Sequence, residues 1–126
     1  MHVAERIQHD TLILMISGRV TFYSRKVFQA LVKTAKFSSA KHVIFNLEGV
    51  TFLDSTALGG LALAYLSLQE SGIAMSLVSP THDVQHIMAS SNFPNFIPTY
   101  PTEGQALEAH LAEPVSWIDS LSWSHS

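Results

Sequence analysis

Three short apolar runs constrain this chain more than any other feature. They are Thr11-Leu12-Ile13-Leu14-Met15-Ile16, His42-Val43-Ile44-Phe45-Asn46-Leu47 and Ile73-Ala74-Met75-Ser76-Leu77-Val78. Each is about the length of one strand, rich in branched or aromatic side chains, and lacks the polar alternation of a half-exposed strand. Such runs read as strands buried on both faces, and a sheet covered on both faces is normally parallel, with helices as its cover. The intervening segments change period accordingly. After Ser17-Gly18, a helix capped by Ser24 is expected, with Val27, Phe28, Leu31, Val32 and Ala35 on one face. A long helix should start at Asp54-Ser55 and end at Gly72, a residue suited to the left-handed position after a helix.

Weaker signals complete the order. Val3 to Gln8 can pair as an edge strand across the polar His9-Asp10 turn, and Pro80-Thr81 opens a short helix carrying Val84, Ile87 and Met88. Phe96-Ile97 is read as a last short strand. Thr102 with Gln105 three residues on fits a capping box ahead of a helix holding Leu107 and Leu111. The expected fold is α/β, a mostly parallel four- to five-stranded sheet with about four helices. Residues 1–112 form the domain. Residues 113–126 are an extension, rich in Ser yet carrying Val115, Trp117, Ile118, Leu121 and Trp123.

Composition then removes function classes. The 126 residues contain 7 Lys and Arg against 10 Asp and Glu, a net charge of −3, without a basic cluster. Nucleic acid binding needs a basic footprint that this chain does not supply. There is no cysteine, so disulfides, thiolate metal sites and cysteine nucleophiles are excluded. The start lacks the pattern of a secretory signal, and the apolar stretch from Ala57 to Leu68 falls short of the roughly 18 residues a bilayer span requires. A cytoplasmic protein without membrane insertion is the expectation.

Several motifs invite chemistry and do not carry it. His82 and His86 share one helix face at the spacing of a zincin, but no third ligand accompanies them, and a surface pair is the better reading. Gly59-Gly60 follows hydroxyl residues as in a phosphate loop, yet no Lys or Arg occurs after Lys41, so the glycines are read as room for a neighbouring backbone. Ser, His and Asp all occur without a strand–Ser–helix elbow. The chain is therefore not expected to be an enzyme, and neither a cofactor nor a metal is expected.

Asp54-Ser55-Thr56 is different. Asp and Ser are good helix caps, which is reason enough for their presence. Yet the hydroxyls stand at the amino end of a helix that follows a buried strand, at the sheet edge where loops of parallel folds do their work. A phosphoryl group on Ser55 would meet free N–H groups and the positive end of the helix dipole.

The segment Val43-Ile44-Phe45-Asn46-Leu47-Glu48-Gly49-Val50-Thr51-Phe52-Leu53-Asp54-Ser55-Thr56-Ala57-Leu58-Gly59 closely resembles the signature of STAS domains, a family of anti-sigma factor antagonists and sulfate-transporter domains. The resemblance covers roughly residues 3 to 112. It implies that Ser55 is phosphorylated by a serine kinase that is often itself the anti-sigma factor, with Thr56 as secondary acceptor. The unphosphorylated form would bind that partner, phosphorylation would release it, and a PP2C-type phosphatase would reset the cycle. The partner surface implied is Gly18, Arg19, Thr21, Asp54, Ser55, Thr56, Leu58 and Gly59. One departure stands out: where family antagonists carry G-[ED]-[LIV]-D, this chain has Gly18-Arg19-Val20-Thr21, so an acid is replaced by Thr21. The alternative implied by the resemblance is an unphosphorylated STAS subunit of a lipid or anion transport complex. A homodimer stays open in either case.

Overall fold

In the computed structural model, which describes residues 1–90 and 97–112, the chain forms β1 (His2–Gln8), β2 (Thr11–Val20), α1 (Arg25–Phe37), β3 (His42–Leu53), α2 (Ser55–Glu70), β4 (Ala74–Val78), α3 (His82–Ser90), β5 (Thr99–Tyr100) and α4 (Glu103–Leu111). A short 3-10 turn, Phe22–Ser24, leads into α1. The strands make one sheet in the order β1-β2-β3-β4-β5. The β1–β2 hairpin is antiparallel and every other pairing is parallel.

Both faces of the sheet are covered, as the continuous apolar runs require. Leu12, Leu14 and Ile16 of β2, Val43, Phe45 and Leu47 of β3, and Met75 and Leu77 of β4 point to one side. There they meet Phe28 and Leu31 of α1, Leu61, Ala64 and Leu68 of α2, and Val84 of α3. The alternate residues Ile13, Ile44 and Val78 point to the other side and pack with Ala106 and Leu107 of α4. The period of two along each strand thus divides one apolar run between two cores.

Four details differ from the sequence expectation. The strands do not stop at Ile16 and Leu47: β2 and β3 stay paired through Ser17↔Gly49, Gly18↔Val50 and Val20↔Leu53, with two shifts of register. Gly49 permits this, because a Cβ there would lie 2.8 Å from the Ser17 Cβ and 3.2 Å from the Ile16 carbonyl oxygen. The cap of the first helical segment is Thr21, not Ser24. Thr21 Oγ1 accepts the Tyr23 N–H at 3.2 Å, while the Thr21 N–H donates to Ser24 Oγ at 3.2 Å. The 3-10 turn starts three residues before α1, so Ser24 has helical backbone angles and makes no cap of its own.

The last strand is Thr99–Tyr100, not Phe96-Ile97. Phe96 lies outside the described residues, Ile97 is buried in the core, and the Pro98 and Tyr100 carbonyls accept the N–H groups of Leu77 and Ser79. Finally, no backbone approaches the paired glycines. A Cβ at Gly59 would meet open space, while one at Gly60 would sit 3.2 Å from the Phe28 ring. Gly72, by contrast, has the expected left-handed backbone (φ +73°) after α2. The extension 113–126 lies outside the described residues.

Candidate functional site

Asp54 organises the upper edge of the sheet. It stands between β3 and α2, and its N–H donates to the Val20 carbonyl at 3.2 Å, which holds it beside the end of β2. Its carboxylate then serves two elements. Oδ1 accepts the Ala57 N–H at 2.8 Å and caps α2, while Oδ2 accepts the Phe22 N–H at 3.1 Å from the turn before α1. A single side chain therefore fixes the start of α2 against the β2–α1 turn.

Ser55 and Thr56 are the first residues of α2, and both are exposed. Their N–H groups belong to the opening turn of a sixteen-residue helix, which has no internal acceptor for them. The hydroxyls thus sit where the helix dipole favours an anion, beside the Asp54 carboxylate that already takes the Ala57 N–H. Thr21 flanks them from the other side.

Next to the hydroxyls stands a ledge that the motif did not reveal. Tyr23 is 89% exposed and Phe22 45%, and their rings meet edge to face at 5.6 Å between centroids. Arg25 lies over the Phe22 ring at 4.7 Å, and Arg19 over the Phe52 ring at 4.2 Å. Large exposed aromatics beside pinned guanidinium groups are the composition of interface anchors. The signal in the sequence was the aromatic doublet Phe22-Tyr23 in a turn, where burial cannot explain it.

The structure brings together most residues of the expected surface. Gly18 (φ +88°), Arg19 and Thr21 lie on the β2–α1 side, and Asp54, Ser55, Thr56 and Gly59 on the α2 side. Leu58 does not join them. At 3% exposure it belongs to the core, because the helical period turns it inward beside Ala57. His82 and His86 are exposed on α3.

A second polar cluster occupies the opposite, strand-start edge. His42, 1% exposed, has Ser76 Oγ at 2.8 Å from Nε2 and Thr11 Oγ1 at 3.4 Å from Nδ1. The His110 ring from α4 stacks on it at 4.3 Å and reaches Asp10 Oδ2 at 3.4 Å. Burial, reinforced by His110, pushes the His42 pKa down to about 4. At Asp10 burial acts upward, but the hydrogen bond and charge of His110 win and hold its carboxyl low. On α4, Glu103 is likewise held low: burial again opposes, and the Asn46 amide (2.7 Å) and Arg6 outweigh it. These contacts latch α4 to the sheet.

The family model described as "STAS domain" matches residues 2–106. A Thermotoga maritima protein described provisionally as an anti-sigma factor antagonist is 27% identical over 104 residues, spanning 82% of this chain and 92% of its own. Its crystal structure superimposes with a TM-score of 0.75, at 24% identity, over 84% and 92% of the two chains. The anti-sigma factor antagonist SpoIIAA, in its unphosphorylated form, has a TM-score of 0.65 at 18% identity, covering 87% of this chain and 98% of its own. SpoIIAA from Bacillus is also known in a phosphorylated form, at a TM-score of 0.64. The murine anion transporter Slc26a9 contains the same fold, with a TM-score of 0.71 at 15% identity over 86% of this chain and 19% of its own.

Proposed function

The chain belongs to the STAS domain family, and on that footing we propose that it is a phospho-regulated binding module of the anti-sigma factor antagonist type. Its partner is a serine kinase of the anti-sigma class, its phosphoacceptor is Ser55, and a PP2C-type phosphatase returns it to the binding form. The observation that carries this reading is the exposed Ser55 at the start of α2, held by the two-way Asp54 carboxylate beside an exposed aromatic ledge. The 27% identity to a protein described as such an antagonist supports the same role.

The geometry supports a switch that acts at the surface. A phosphoryl group on Ser55 would be favoured by about 0.3–1 kcal/mol at the helix start, so the fold has little to lose. A partner seated over the same spot would face a charge of about −2 in a desolvated contact. Phosphorylation then releases the partner while the domain stays folded. The transporter-subunit reading has the support of a shared fold at 14% and 15% identity, and no feature of the site among the described residues favours it.

The test is to incubate the protein with its kinase and ATP and map the product by mass spectrometry. Phosphate is expected on Ser55 and is expected to vanish in Ser55→Ala. Label that persists undiminished in Ser55→Ala, with Thr56 unmodified, would overturn the assignment.

A further inference from the structure

A groove of about 640 Å³ runs between α1 and α2 along three turns of each helix. Its floor is apolar, built from Phe28 and Val32 of α1 and from Ala57, Gly60 and Ala64 of α2. The two glycines deepen it, since α2 presents no side chain there, and Leu63 stands at its lip 68% exposed. The rim is cationic. Arg25, Lys33 and Lys36 line it with no acidic residue, and α1 as a whole carries Arg25, Lys26, Lys33 and Lys36 in a chain that is net negative. At the lower end Lys36 Nζ donates to Ser67 Oγ at 2.7 Å.

The segment that follows α4 has the complementary composition. Residues 113–126 contain Val115, Trp117, Ile118, Leu121 and Trp123 with two acids, Glu113 and Asp119, and no Lys or Arg. The departure point is also suitable. His110, in the last turn of α4, touches Asp10 and His42 at the strand-start edge. The last turn of α1, with Lys36, descends to the same edge, where the Lys41 N–H donates to the Asp10 carbonyl at 2.8 Å. From Ala112 the segment must pass round the sheet and one helix layer, about 20 Å in all. Four extended residues reach about 13 Å and eight about 26 Å, so the path uses part of the segment and leaves the rest for the groove.

We propose that the end of the 113–126 segment, from about Asp119 onward, occupies the α1–α2 groove of the same molecule, with Leu121 and Trp123 on its floor and Asp119 against Lys33 and Lys36. This does not depend on phosphorylation of Ser55. Because the groove ends at Thr21 and Thr56, an occupied groove also borders the surface that a partner would use.

The chain offers its own reporter, since its 2 Trp residues are Trp117 and Trp123, both in the segment. Tryptophan emission of the full chain is expected to be blue-shifted against a synthetic 113–126 peptide, independently of protein concentration. Leu63→Glu, at an exposed position, should shift it to the red with an unchanged far-UV circular dichroism spectrum, and Lys33→Glu with Lys36→Glu should do the same. In trans, the peptide should bind the chain truncated after Ala112, roughly tenfold or more weakly when Leu63→Glu is present. Peptide-like emission from the full chain would overturn the proposal, as would a blue shift that survives both sets of substitutions. A blue shift that grows with protein concentration would place the segment on a second copy and overturn it equally.

Discussion

Asp54 shows how one residue can serve structure and site together. Its two carboxylate oxygens hold different elements, Ala57 in α2 and Phe22 in the turn before α1. Asp54→Ala removes a cap worth about 1 kcal/mol and leaves the Phe22 N–H without its acceptor. A loss of about 1–2 kcal/mol in urea unfolding is expected, with Asp54→Asn between it and wild type because Asn still caps. Asp54→Ala should weaken partner binding as well, since the ledge would lose its anchor to Ser55. Thr21 belongs to the same scale. It caps the 3-10 turn, and Asp caps as well as Thr, so Thr21→Asp should leave stability within about 0.5 kcal/mol of wild type. Calorimetry with the kinase should show weaker binding, because a second carboxylate would then flank Phe22 beside Asp54. Equal affinities would place this turn outside the interface.

Among the elements, the β2–β3 pair determines where the site stands. Its upper half survives two register shifts because Gly49 lets Ser17 and the Ile16 carbonyl come close. Gly49→Ala should force the strands apart at a cost of about 1–3 kcal/mol, as overpacking does. Ser17→Gly in the same molecule removes the 2.8 Å conflict and should restore part of the loss, which a double-mutant cycle by thermal unfolding would read. Two single effects that simply add would mean the close approach carries no strain. The Ser55 position should respond differently. Ser55→Glu changes an exposed residue at a helix start, so the melting temperature should hold while affinity for the kinase falls.

At the scale of the whole molecule, the His42–His110–Asp10 cluster ties α4 to the three strands of the sheet centre, and it makes stability depend on pH. His42 titrates near 4 when folded and near 6.5 when unfolded. Between those values the unfolded chain binds a proton that the folded one refuses. Stability is therefore full above about pH 6.5 and declines as pH falls toward 4, by up to about 3 kcal/mol. The lowered carboxyls of Asp10 and Glu103 extend the loss in the same direction at more acidic pH. Urea midpoints measured across this range should show the slope, and His42→Gln should flatten it. An unchanged slope in that variant would assign the dependence to other groups.

What the sequence determined alone is what local chemistry dictates. Apolar runs of strand length, the helical period of α1, the Gly72 stop, the Asp54 cap and the Thr102 cap are each decided by residues within a few positions of one another. The signature around Ser55 was legible for the same reason, being a single continuous segment. What only the tertiary structure decided depends on residues far apart in the chain. Leu58 left the surface because the core claimed that side of α2, and Thr21 displaced Ser24 as cap because a 3-10 turn could form where Asp54 accepts the Phe22 N–H. β2 and β3 ran on past their apolar runs because each supplied the other's hydrogen bonds, and His42 became buried because Thr11 and Ser76 from neighbouring strands met its ring. Sequence periodicity reports which side chains avoid water; which polar groups satisfy one another is settled only when distant strands and helices are brought within hydrogen-bonding distance.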